Sequence, residues 1–79
     1  MALQVFLAAT LRRYVPDYNP ETGVILSVDS GKTVSDIARI MGIPKEEIKI
    51  VMVNGIHSSL DHLLKGDERV AFFPAVGGG

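Results

Sequence analysis

Seventy-nine residues, 47% of them apolar and 22% charged, describe one small globular domain and exclude a disordered chain. A formal net charge of −1 supplies no long-range field toward nucleic acid, and the lack of cysteine excludes disulfides, thiolate metal sites and a thiol nucleophile. Met1-Ala-Leu-Gln-Val-Phe-Leu7 has no basic n-region, and no run nears the roughly 20 apolar residues of a membrane helix, so the expectation is a cytoplasmic protein with no membrane partner.

Ala2 to Ala9 reads as a strand. Gln4 marks its outer face, which puts Leu3, Val5 and Leu7 inward and Phe6 and Ala8 beside Gln4. Thr10 to Thr22 carries Pro16 and Pro20 among polar residues and is a connection, with one helical turn at Leu11 to Tyr14. Gly23 to Asp29 is a second strand with Val24, Leu26 and Val28 on one side, although Ile25 blurs the alternation.

Asp29-Ser-Gly-Lys-Thr33 has the ending of a phosphate-binding loop. Such a loop also needs a glycine five positions before its last one, where this chain has Leu26. The segment is better explained as a turn and a helix start, with Thr33 as N-cap and Asp36 in the first turn. Val34, Ile37, Ala38 and Met41 then form the apolar stripe of a helix of about 10 residues, stopped by Gly42 at C′. Arg39 faces solvent.

Pro44 to Glu47 is one helical turn with Pro44 at N1. Ile48 to Val53 is a third strand. Taking Lys49 as the outward marker puts Ile48, Ile50 and Met52 inside, and Val51 and Val53 outside. Asn54-Gly55 predicts a type I′ hairpin into a short strand at Ile56 to Ser58. Leu60, Leu63 and Leu64 anchor the next segment, Lys65-Gly66-Asp67 turns, and Arg69 to Phe73 is the last strand, with Val70 and Phe72 inward and Pro74 ending it. The predicted class is α+β: a mixed four- to five-stranded sheet with one main helix on one face, the first and last strands adjacent at its centre, as in the ubiquitin-like β-grasp. The domain is expected to span residues 1–76, with 77–79 as a flexible tail.

That tail, Gly77-Gly78-Gly79, has no side chain to pack and the widest backbone freedom. From Pro74 to Gly79 it reaches roughly 17 Å when extended, enough to carry a terminal carboxylate into another protein.

Three stretches resemble the MoaD/ThiS-type sulfur-carrier proteins, a ubiquitin-like family: Val51-Met-Val-Asn-Gly55, Leu64-Lys-Gly-Asp-Glu-Arg-Val-Ala-Phe-Phe-Pro74, and Val76-Gly-Gly-Gly79. The last third of the chain carries the match in residues, and the rest only in element order. Pro74-Ala75 stands where the family often has Pro-Pro, and Gly77 where it often has Ala; both leave the branch open. The resemblance implies a non-catalytic carrier with no permanently bound cofactor. A ubiquitin-activating-type adenylating enzyme, using ATP and magnesium, would join AMP to the Gly79 carboxylate. A sulfur donor would then displace AMP to leave a thiocarboxylate. The acceptor would be a synthase such as the molybdopterin synthase large subunit or thiazole synthase. A second reading is a ubiquitin-like modifier conjugated through Gly79; a third is a β-grasp interaction module with an inert tail.

The remaining candidates are weaker. His57 and His62, with only Asp61 between them as a further ligand, are exposed loop histidines more readily than a metal pair. Arg12-Arg13 is a short basic pair, read as solvated more readily than as touching a partner, and Asp61, Asp67 and Glu68 read as turn and surface residues. The alternation puts Phe6, Val51, Val53, Ala71 and Phe73 together on the outer sheet face. A solvated face normally carries polar residues, so this cluster predicts a partner-docking surface anchored by Phe6 and Phe73.

Overall fold

The first strand, β1 (Leu3–Leu7), alternates as its sequence requires, with Leu3, Val5 and Leu7 buried and Gln4 and Phe6 half-exposed. In the computed structural model, which describes residues 2–75, β1 lies near the middle of one sheet. The other strands of the sheet are β2 (Val24–Leu26), β3 (Ile50–Val53), β4 (Ile56–Ser58) and β5 (Arg69–Phe73). Among the described residues the order is β2-β1-β5-β3-β4, with β1 and β5 parallel and the other three pairs antiparallel. The helix α1 (Val34–Ile40) is the crossover between the two hairpin halves. This is the predicted β-grasp arrangement.

Local chemistry sets the boundaries. Thr33 caps α1 with a complete capping box: its hydroxyl accepts from the Asp36 N–H at 3.1 Å, and the Asp36 carboxylate accepts from the Thr33 N–H at 3.0 Å. The helix is shorter than expected, since Met41 is already the C-cap and Gly42 follows at φ +75°. Pro44 precedes the next turn instead of starting it: its ψ of 128° makes it the N-cap of a 3-10 turn, Lys45–Glu47. The strand expected over 23–29 is cut to Val24–Leu26 because Leu26 already pairs with Leu3, where β1 begins. Gly23 fits close against β1: a Cβ there would lie 2.5 Å from the Val5 carbonyl oxygen.

The long connection after β1 is more ordered than its composition suggested. Ala9–Tyr14 forms a 3-10 helix that buries Leu11 completely. Glu47 ties it down, accepting from the Tyr14 hydroxyl and from Arg13, the latter at 2.6 Å.

One register differs from expectation. Val51 and Val53, placed outside by the alternation from Lys49, are buried at 4% and 6% exposure, whereas Ile50 is 40% exposed. The cause lies before the ladder. Ile48 caps the Lys45–Glu47 turn and is pulled into the core, Lys49 and Ile50 are both exposed, and the alternation restarts one residue later. The core is therefore Leu3, Val5, Leu7 and Val51, Val53, Val70, Phe72 from the sheet against Val34, Ile37 and Ala38 of α1, closed by Leu11, Ile43, Ile48 and Leu64.

Candidate functional site

The face of the sheet opposite α1 is defined by the cross-strand register. Phe6, Ala71, Met52 and His57 lie in one row from β1 to β4. Ile50 pairs with Phe73 beside them, and Gln4 sits between Ile25 and Arg69. Partners directly opposite in a ladder share a face. So Phe6, Ala71 and Phe73 are where the sequence predicts, with Phe73 37% exposed, but Val51 and Val53 do not join them. Their places are taken by Ile50 and Met52. The hairpin held a clue to this: Asn54-Gly55 pairs Met52 with His57, and the polar His57 belongs outside.

A depression of about 200 Å³ opens at the β1–β5 end of this face, lined by Phe6, Ala71, Phe73, Arg12, Tyr18 and Pro20 among others. The Arg12 Nε–H donates to the Leu7 carbonyl at 2.9 Å, and its guanidinium lies 5.4 Å from the centre of the Tyr18 ring. The Tyr18 hydroxyl in turn accepts from the Leu7 N–H at 2.8 Å. Arg69 stands over the Phe6 ring at 5.4 Å.

β5 reaches this face from a turn built around a carboxylate. Glu68, read from sequence as a surface residue, is only 7% exposed. Its carboxylate accepts from the N–H groups of Lys65, Gly66 and Asp67 at 2.8, 2.9 and 3.1 Å. Burial pushes its pKa up, but these hydrogen bonds outweigh that and hold it below the ordinary glutamate value. Asp36 is likewise held low, chiefly by the Thr33 N–H. Three charged residues in a row after a turn gave no sign that one would fold inward.

His57 and His62 share a groove at the β4 edge with Lys65 and Asp67. Among the described residues no group of three or more His, Asp or Glu side chains is placed to hold a metal ion. Nor is any helix long and apolar enough to cross a membrane. The segment before α1 is the cap described above. Gly77, Gly78 and Gly79, the expected acyl site and tail, lie outside the described residues, as does Val76.

Residues 1–77 match the family described as Mut7-C ubiquitin. The chain belongs to that family. As a Mut7-C ubiquitin protein it is ubiquitin-like, the class that the resemblance to MoaD/ThiS-type proteins pointed to. Among solved structures it is similar to SAMP1 from Haloferax volcanii, at 21% identity and a TM-score of 0.69, with all of each chain covered. At that identity the likeness is one of fold, and it bears out the β-grasp. No curated protein matches the chain.

Proposed function

We propose that this Mut7-C ubiquitin protein is a sulfur carrier whose working group is the carboxylate of Gly79. The carboxylate oxygen attacks the α-phosphorus of ATP on a magnesium-dependent adenylating enzyme, releasing pyrophosphate and leaving an acyl adenylate. Hydrosulfide delivered by a sulfur donor then adds to the acyl carbon, its proton is lost and AMP departs, so the product is a thiocarboxylate. An acceptor synthase for a molybdopterin-type cofactor, or next a thiazole, consumes it. The chain's own part is presentation. Side-chain-free residues let the acyl carbon enter a narrow site, and the folded domain supplies the docking surface.

The observation that supports this most is the position of β5. It is central in the sheet, it flanks the apolar outer face, and after its last residue, Phe73, the sequence runs through Pro74, Ala75 and Val76 into Gly77-Gly78-Gly79. The ubiquitin-like family and fold are consistent with it.

Mass spectrometry tests the reading directly. The native protein is first weighed to establish that Gly79 carries the terminal carboxylate, then incubated with ATP, magnesium, an adenylating enzyme and a sulfur source. Exchange of one oxygen for one sulfur at the C-terminus is expected, and it is lost on deletion of Gly79 with no change in Tm. Ladders of conjugates through Gly79 would instead make the protein a modifier, and an unchanged mass an inert interaction module. On the docking side, Phe73→Asp weakens the complex with the adenylating enzyme while the fold is retained; unchanged affinity rejects the Phe73 anchor.

A further inference from the structure

The chain has four arginines, and they fall into two pairs. Arg13 is bonded to Glu47, and Arg39 to Asp36 on α1. Arg12 and Arg69 have no carboxylate partner among the described residues. Each is held instead by neutral groups: Arg12 by the Leu7 carbonyl and the Tyr18 ring, Arg69 by the Phe6 ring. Both border the same apolar surface of Phe6, Ala71 and Phe73.

The carboxylates are distributed just as unevenly. None of the nine acidic residues lies in a strand, although the chain as a whole is slightly acidic. The outer face of the sheet thus offers apolar and aromatic groups, Gln4, His57 and a cation, and no strand carboxylate. A guanidinium already oriented by a carbonyl or an aromatic ring loses less freedom when it binds an anion, and its terminal N–H groups suit a carboxylate in bidentate geometry. Complementary charge around an apolar centre sets orientation and encounter rate.

We propose that this face recognises a protein segment bearing an apolar side chain flanked by carboxylates. The apolar group enters the depression between Phe6 and Phe73, and the flanking carboxylates meet Arg12 and Arg69. The inference deepens the docking half of the proposed function and rests on that reading only for the existence of a protein partner. It requires nothing of Gly79.

The test is an NMR titration of the isotopically labelled full chain with two synthetic peptides: acetyl-Glu-Glu-Leu-Phe-Glu-Glu-amide, and its counterpart with lysine at every glutamate. The acidic peptide is expected to give saturable shifts at the Phe6, Ala71 and Phe73 amides and at the Arg12 and Arg69 Nε–H groups, and the basic peptide none. Arg12→Gln and Arg69→Gln should each weaken the acidic peptide about two- to fivefold, more at low salt, as for exposed ion pairs. Arg39→Gln, on the opposite side of the sheet, should leave it unchanged. Equal binding of both peptides, shifts confined to other surfaces, no saturable shift, or displacement by a single-stranded oligonucleotide would each overturn the proposal. A chain lacking residues 77–79 separates the two readings. Acidic-peptide binding that survives in it sustains the docking site even if the thiocarboxylate assay has failed, and loss of binding there overturns it.

Discussion

β1 and β3 flank the same central strand, β5, and on paper they look alike: each is an apolar run with one polar residue to tell inside from outside. Gln4 lies within the β1 ladder, paired with Ile25 on one side and Arg69 on the other, so its polarity does report the outer face. Lys49 lies one residue before the β3 ladder. The chain there is leaving a 3-10 turn that has anchored Ile48 in the core, and it takes two exposed residues to enter the sheet. A polar marker is informative only when the ladder already constrains the residue that carries it.

Charging adjacent residues of β3 separates the two registers most strongly. Val51→Asp puts an unpaired carboxylate into the core beside Phe72, and is expected to cost about 4 kcal/mol or more. A domain of this size has a total stability of roughly 4–12 kcal/mol, so the variant should be largely unfolded in water or mild denaturant. Met52→Asp, on the outer face, should stay within about 1 kcal/mol of the parent. Urea unfolding of the two variants decides between the registers. The reverse ranking would restore Ile50 and Met52 to the core. On β1 the same pair, Val5→Asp and Phe6→Asp, should rank as the sequence alone predicts.

Most of the fold was legible because its determinants are local. The capping box at Thr33, the Asn54-Gly55 turn and the alternation of β1 and β5 each follow from residues within a few positions of one another. What was not legible depended on groups brought together from a distance. The composition of the outer face turned on a one-residue phase shift set by Ile48, which exchanged Val51 and Val53 for Ile50 and Met52. The orientation of Arg12 needed Leu7 and Tyr18 placed beside it. The inward turn of Glu68 needed three backbone N–H groups converging on one carboxylate, and nothing in Lys65-Gly-Asp-Glu68 distinguishes it from the exposed Asp67 next to it.

Glu68 is a second case in which charge misreports position, and its removal should have an intermediate effect. Glu68→Gln keeps the shape but sets an amide against donors, leaving buried N–H groups short of acceptors; about 1–3 kcal/mol should be lost. The pH dependence has a definite sign. The folded-state pKa lies below the ordinary value, so the stabilisation is complete above the unfolded-state pKa of about 4.3 and fades as pH falls through the folded value. The parent should therefore lose stability on acidification below about pH 4, and Glu68→Gln should lose less over the same range. Parallel curves in acid unfolding would mean that the carboxylate does not carry the turn.

The smallest expected effect comes from the inner side of the comparison, where α1 covers the buried faces of β1 and β3. The helix has only seven residues, too few to persist without its ends being satisfied. Thr33→Ala removes the hydroxyl that accepts from the Asp36 N–H, and should cost about 1 kcal/mol, or a fall in Tm of about 4–8 °C for a domain of this size. Thr33→Ser retains the acceptor and should fall much less. Because the apolar stripe Val34, Ile37 and Ala38 is untouched, the loss in Thr33→Ala belongs to the cap and not to packing. Equal losses in both variants would instead assign the effect to the Thr33 methyl group, and the start of α1 would then be held by the Asp36 carboxylate and by the His62 and Leu60 carbonyls, which accept from the Val34 and Ser35 N–H groups.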